Sequence, residues 1–374
     1  MKKILIVVDS IIDNGLGRYT KELIFRLRPH YQISILTSNP GSVDWRELNI
    51  PVFLLPPMKK LNNPFINFFQ SIKYLSLAKK ADFIHYCSEF PHCFLFLLIP
   101  FLNKPRFITA HGTYAVAPLD HFFYKYLLRF AFKKADKIFC VSNFTAQKIL
   151  RRIKLDNIAV INNGVDFNKF YRPFVSPGQN KDKVILSVGL IKNRKGFDIS
   201  IQAAAKIKSV FPDLKYYIVG DQSDSTYFNY LKQLVISNNL EKNIIFLENV
   251  SDEKLIDLYC QSDVFILTPV VIKNNKFEGF GLVYLEAGAC GKPVIGTLGC
   301  GAEDAIKDGY NGLLVKQNDI SETAEALKKI LTDPKLAENL GRNGQTFARQ
   351  MDWSNIIKKY QAAYESRLAE KNQC

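Results

Sequence analysis

The chain has 374 residues, 47% of them hydrophobic and 23% charged, a balance that excludes wholesale disorder, collagen-like repeats and coiled coil. At roughly 150 residues per domain this length predicts two domains. The formal net charge is +15, unevenly spread: residues 1–170 hold 24 Lys and Arg against 11 Asp and Glu (+13), and residues 171–374 hold 26 against 24 (+2). A basic first half points to an anionic partner on that side.

Taken in chain order, KKILIVVD (2–9) reads as a buried strand, and its apolar run Ile4–Val8 is too short for a signal peptide. A glycine-containing turn, Asp13–Gly17, leads into the amphipathic stretch RYTKELIFRL and then the strand YQISILTS, which is the opening of a parallel α/β sheet. Further strands are predicted at ADFIHY (81–86), PRFITAHG (105–112), DKIFCVS (136–142) and NIAVINNG (157–164). The longest apolar run, CFLFLLIPFL (93–102), contains a proline and falls well short of the roughly 20 residues of a membrane-spanning helix. Two basic stretches, 58–80 and 121–137, interleave Lys and Arg with Phe and Tyr, a pattern suited either to an anionic membrane surface or to helices with aromatics in the core and lysines in water.

Residues 171–183, YRPFVSPGQNKDK, read as a linker. The strand pattern restarts at KVILSVGL (183–190) and continues through LKYYIVGD (214–221), NIIFLEN (243–249), DVFILTP (263–269) and KPVIGT (292–297), with a final helix predicted over 353–372. The expectation is therefore α/β with two doubly wound Rossmann-like domains facing across a cleft. Their predicted bounds are 1–172 and 173–354, with 355–374 packing back on the first. Ligands in such sheets lie beyond the carboxyl ends of the strands. Seven cysteines, at 87, 93, 140, 260, 290, 300 and 374, form no C-x-x-C and no zinc spacing, and their odd number suggests a reducing compartment with mostly buried thiols.

The stretch richest in chemistry is EGFGLVYLEAGACGKPVI (278–295). Glu278 fits a loop, Gly279–Gly281 a tight turn, and Leu282 the start of a helix whose exposed amides favour an anion or polar oxygens. Glu278 and Glu286 can accept hydrogen bonds from a hydroxyl-rich ligand. Two Glu residues eight apart are equally what a surface Glu and a helix-capping Glu would look like.

The whole stretch resembles the E-x7-E signature of retaining family-4 glycosyltransferases of the GT-B fold: Glu278, Gly279, Phe280, Gly281, Glu286, Ala287, Gly291, Pro293 and Val294 all match. NGLGRYT near the start, HGTY (111–114), VSNFT (141–145), INNGVD (161–166), RKGFD (194–198) and DGYNGLLV (308–315) follow in the family's order. The resemblance implies that Glu278 holds hydroxyls of the transferred sugar and Glu286 the ribose of the nucleotide, while the backbone of Gly279, Phe280, Gly281 and Leu282 meets sugar and phosphate. By the same resemblance Lys195 neutralises the diphosphate in place of a metal, His111 faces the transferred sugar, and Gly15 and Gly17 approach the donor phosphates. Arg18 is a candidate phosphate or acceptor contact. One departure stands out: the family's Val-Gly-Arg is Val188-Gly189-Leu190 here, so Arg194 or Lys192 is the expected source of a second cation.

The implied reaction moves a hexosyl group from a UDP-sugar or GDP-sugar, with retention, to a glycan or lipid-linked acceptor in cell-envelope or exopolysaccharide biosynthesis. The expected setting is cytoplasmic, either soluble or peripheral on the inner face of a membrane, with no cofactor and no metal. The competing readings are another sugar-nucleotide enzyme of the same fold, and a binding protein with a degenerate sugar site and a basic surface for nucleic acid. No recognisable nucleic-acid module supports the latter.

Overall fold

A computed structural model of the chain describes residues 1–12, 14–55, 74–88, 103–122, 124–174, 182–273 and 276–372. The apolar run 93–102, residues 58–73 of the first basic stretch and residues 175–181 of the linker lie outside the described residues. The chain divides into two compact units, residues 1–164 with 353–374, and residues 165–352.

Unit 1 contains strands β1 (Lys2–Ser10), β2 (Tyr31–Asn39), β3 (Val52–Leu54), β4 (Phe83–Tyr86), β5 (Arg106–Ala110), β6 (Lys137–Cys140) and β7 (Ile158–Val160). They form a sheet in the order β3-β2-β1-β4-β5-β6-β7, and every pairing is parallel. β1 is an interior strand, between β2 and β4, and Ile4 to Val8 are no more than 1% exposed. That explains its unbroken aliphatic run, since a parallel strand is covered on both faces. Helix Gly15–Leu27 follows, started by the Asn14 side chain, which accepts from the Gly17 amide at 2.9 Å. The last helix, Trp353–Asn372, belongs to this unit: Trp353, Ile356, Ile357, Tyr360, Tyr364 and Leu368 are all buried. The Tyr360 hydroxyl bonds that of Tyr19, and the Tyr364 hydroxyl lies 2.6 Å from His85 Nδ1.

Unit 2 contains β8 (Val184–Val188), β9 (Lys215–Val219), β10 (Ile244–Leu247), β11 (Val264–Ile266), β12 (Val294–Thr297) and β13 (Gly312–Val315), in the order β10-β9-β8-β11-β12-β13 and again all parallel. Several of its helices start on side-chain caps: Asp224, Ser251, Asp319 and Asp333 each accept a backbone amide three residues on. Both units are thus doubly wound parallel sheets. The strand order reverses between β1 and β4 in one and between β8 and β11 in the other, and crevices for ligands open at such switch points. The sequence patterns found eleven of these strands. They missed β3 and β13, each an edge strand of its sheet that pairs on one side only.

No described helix is long and apolar enough to cross a membrane.

Candidate active site

In unit 2 the carboxyl ends of β8 and β11 are where the sequence motifs converge. After β8 the chain makes a short 3-10 turn, Asn193–Lys195. Continuation of β11 pins this turn: the Val270 amide donates to the Arg194 carbonyl at 2.9 Å, and the Thr268 hydroxyl to the Gly196 carbonyl at 2.6 Å. Lys195 is 8% exposed, and its Nζ lies 2.5 Å from Glu278 Oε2. Arg194 reaches the same oxygen at 3.1 Å. Burial alone would raise the Glu278 carboxyl, but Lys195 and Arg194 outweigh it and hold the group below the usual carboxylate value. Two cations therefore share one carboxylate oxygen at the strand ends.

Glu278 sits in the loop, with its carbonyl accepting from the Gly301 amide at 2.9 Å. Helix Leu282–Ala289 begins four residues later, as the sequence predicts. Gly281 precedes it at φ 92°, with no side-chain cap, and a Cβ there would come 2.5 Å from the Tyr284 ring. Only glycine accommodates both the left-handed turn and the ring. The Tyr284 amide donates back to the Gly281 carbonyl at 3.1 Å, and the positive end of the helix faces the loop that carries Glu278. Tyr284 anchors the helix by donating its hydroxyl to the Leu267 carbonyl at 2.8 Å, just past β11. Glu286, 5% exposed, takes the Tyr259 hydroxyl on Oε2 at 2.8 Å. Tyr259 was not found by sequence reasoning. It lies 27 residues from Glu286 on helix Asp252–Gln261, and no local pattern marks it.

The departure at Leu190 has a structural counterpart. Leu190 is 37% exposed, and Lys192 is exposed with Asp221 in its electrostatic reach. Of the two residues expected to supply a second cation, Arg194 is the one placed beside Lys195. In the 270–277 segment, Ile272 and Lys276 form an antiparallel bridge and the Val271 amide donates to Gln317 Oε1 at 2.8 Å.

In unit 1, His111 follows β5 directly. Tyr19 meets its ring edge-on, with centroids 4.4 Å apart. Burial pushes the His111 pKa down to about 4, against a backbone hydrogen bond with Cys87, so the imidazole is neutral at pH 7. A second histidine, not singled out by the sequence, lies beneath it. His85 on β4 is fully buried between Thr109 Oγ1 (2.8 Å from Nε2) and the Tyr364 hydroxyl, and burial, reinforced by His111, pushes it to about 3. Thr109 also bonds the Tyr19 hydroxyl at 2.8 Å. Gly15 and Gly17, expected in a loop, are instead in the first turn of helix Gly15–Leu27, and Arg18 is exposed on that helix. The structure thus joins Lys195, Arg194 and Glu278 in one cluster and sets Glu286 along the adjoining helix. It places His111 against the helix that carries Gly15, Gly17 and Arg18.

Part of the 121–137 stretch is exposed. Phe122 and Tyr126 are 81% and 62% exposed, with Lys125 Nζ over both rings, and Tyr114, ahead of the stretch, is 66% exposed. Leu128 and Phe132 on the same helix, Tyr124–Lys134, are fully buried.

Comparison with known proteins agrees with this architecture. The family model described as "Glycosyl transferases group 1" matches residues 172–347, and "Glycosyltransferase Family 4" matches residues 13–169. The chain belongs to the group 1/family 4 glycosyltransferases and has the GT-B fold. An uncharacterised glycosyltransferase of Methanocaldococcus jannaschii is 28% identical over 355 residues, 94% of each chain. A D-inositol 3-phosphate glycosyltransferase of Acidothermus cellulolyticus is 32% identical over 194 residues, 50% of this chain and 42% of its own. Among solved structures, Anabaena Alr3699/HepE in complex with UDP and glucose aligns at a TM-score of 0.80 with 20% identity, over 98% of this chain and 100% of that one.

Proposed function

We propose that the chain transfers a hexosyl group from a nucleoside diphosphate sugar to a glycan or lipid-linked acceptor, with retention at the anomeric carbon. The observation that carries this reading is the sharing of one Glu278 oxygen by Lys195 and Arg194, at the switch point of unit 2 and in front of an uncapped helix start. A diphosphate entering there competes with Glu278 for both cations. The released carboxylate then accepts from vicinal hydroxyls of the transferred sugar, and Glu286, set by Tyr259, accepts from the ribose. That a solved structure of the same fold holds UDP and glucose supports a nucleotide-sugar donor.

In the transfer, the bond from C1 to the phosphate oxygen breaks and the acceptor oxygen bonds C1 on the same face. The acceptor proton passes to the departing phosphate oxygen. Lys195 and Arg194 are fixed charges facing the oxygen on which negative charge grows, so no metal is needed for that role. His111, neutral at pH 7, donates to or accepts from a sugar hydroxyl.

Two measurements test this. A thermal-shift panel of UDP, GDP and ADP with their sugar conjugates should show stabilisation by one nucleotide series, lost in Glu286→Ala. Turnover should then survive a chelator, and NMR of the product should show the donor's anomeric configuration. An inverted product, or turnover abolished by chelation and restored by a divalent metal, rejects the mechanism.

We also propose that the acceptor side works at an anionic membrane surface in the setting expected from the sequence, cell-envelope or exopolysaccharide synthesis. Exposed Phe122 and Tyr126 with Lys125 between them support it, because aromatic and basic side chains together suit the headgroup layer. The protein should co-sediment with vesicles containing phosphatidylglycerol and leave them at high salt, and Phe122→Ser/Tyr126→Ser should weaken the binding. Binding indifferent to salt, anionic lipid and these substitutions rejects the surface.

A further inference from the structure

We propose that Gln317 is a positioning residue for the donor site of unit 2. Its side-chain amide holds the turn that carries Arg194 and Lys195 in register with the loop that carries Glu278. This rests on the reading above, in which the two cations take the diphosphate and Glu278 the transferred sugar. Gln317 lies two residues past β13, in the turn that leads to helix Ile320–Thr332. That turn is fixed from several sides. Asn318 adopts a left-handed φ of 62°, the Asp319 amide donates to the Lys316 carbonyl at 3.3 Å, and the Lys316 amide donates to Glu322 Oε2 at 3.1 Å.

From this fixed turn the half-buried side chain reaches across the carboxyl ends of the sheet. Its Oε1 accepts from the Val271 amide at 2.8 Å, past β11. Its Nε2 donates to the Leu298 and Gly299 carbonyls at 2.8 and 3.0 Å, past β12. Donor and acceptor ends of the amide are thus both engaged with backbone, and one side chain ties the segments leaving three neighbouring strands, β11, β12 and β13. β11 and β12 themselves pair only at Phe265–Val294 and Ile266–Ile295. Beyond that short ladder the segments depend on side-chain bridges: Thr297 donates to the Pro269 carbonyl at 2.5 Å, and Gln317 is the next bridge outward.

Both segments that Gln317 ties support the charged cluster. Val270, one residue before the Gln317 contact, donates its amide to the Arg194 carbonyl at 2.9 Å. Gly301, two residues past Gly299, donates its amide to the Glu278 carbonyl at 2.9 Å. The approach is close: a Cβ on Gly301 would come 2.1 Å from the Gly279 carbonyl oxygen, and one on Gly299, at φ 74°, would come 3.1 Å from Gln317 Nε2. Gln317 therefore stands between the backbone behind the cations and the backbone behind the carboxylate. Lys195 and Arg194 have long side chains that follow a diphosphate when their backbone shifts. Glu278 has a shorter reach and must meet fixed hydroxyls, so loosening the segments falls on the sugar. The ribose end is held separately, by Tyr259 on Glu286.

The test is calorimetric titration of the full chain with UDP, GDP and ADP and with UDP-glucose, GDP-mannose and ADP-glucose. Gln317→Met nearly keeps the length of the side chain and loses all three hydrogen bonds. In this variant the sugar conjugate should bind roughly five-fold more weakly, the size of one net hydrogen bond, while the bare nucleotide changes by about two-fold or less. Gln317→Ala should do the same, with circular dichroism showing that each variant is folded. Equal weakening of nucleotide and conjugate makes Gln317 a general stabiliser and overturns the proposal, as does unchanged binding of both. Glu278→Ala in the same titrations should shift the ratio of the two affinities against the conjugate. If it does and neither Gln317 variant does, the positioning role alone falls. If Glu278→Ala keeps the parent's ratio, or the parent binds none of the six compounds, the donor reading falls and this proposal with it.

Discussion

Glu278 is the residue on which the site turns. Its carboxylate neutralises Lys195 and Arg194 while almost out of water, with a side chain 12% exposed. Removing one member of a buried pair is costly because it leaves the other's charge uncompensated. Lys195→Ala should therefore act twice. Glu278 keeps only Arg194, its carboxyl rises towards the usual range, and the departing diphosphate loses its nearest fixed charge. A fall of about 100-fold or more in kcat is expected, the size seen when one stabilising donor is removed from a charge-developing site. Steady-state kinetics check it, and a variant within a few-fold of the parent would show that Lys195 only balances Glu278. Arg194→Ala should cost less, because the contact is longer and Arg194 more exposed. Both residues were legible in the sequence from the RKGFD motif. That they meet on one oxygen was not, since they lie 84 and 83 residues from Glu278.

At the scale of one element, the first helix of unit 1 separates two glycines that look alike in the sequence. Gly15 has open space where a Cβ would go, whereas a Cβ on Gly17 would come 1.7 Å from the Ile12 carbonyl oxygen. Gly15→Ala should raise stability by about 0.4–1 kcal/mol, through a less flexible unfolded chain. Gly17→Ala should destabilise by more than that, because either the Ile12 turn or the helix start must move. Urea unfolding of the two variants checks the contrast, and equal effects would show that the approach of Gly17 to Ile12 is not a constraint. The Gly-x-Gly pair was visible in the sequence as a phosphate-approaching loop. The structure puts it in a helix, because the Asn14 cap starts the helix earlier than the apolar periodicity shows.

For the molecule as a whole, unit 1 is closed by the last helix of the chain over a buried polar chain running Tyr364–His85–Thr109–Tyr19–Tyr360. Folding holds His85 at about 3 and His111 at about 4, below the imidazole value of about 6.5 in an unfolded chain. Both folded values are depressed, so the unfolded state binds more protons once pH drops below about 6.5. The stability linked to these histidines is complete above that pH and is lost as pH falls towards about 4 and then about 3, at about 1.4 kcal/mol per pH unit for each imidazole. Tm should decline across that window, and His85→Asn should be less stable at pH 7 yet show a shallower decline. A parent Tm that is flat from pH 6.5 to about 4.5 would contradict neutral burial of both rings.

By itself the sequence determined the two sheets, the start of the helix at Leu282 and the family, because strand periodicity, glycine turns and a contiguous motif are local properties of the chain. It could not show β3 or β13, whose pairing depends on a neighbouring strand rather than on their own few residues. Tertiary structure alone decided which side chains meet: Tyr259 with Glu286, Arg194 and Lys195 with Glu278, and His85 with Tyr364, 279 residues away. Burial also decided the protonation of His85 and His111, since desolvation and neighbouring charge exist only once distant segments have packed together.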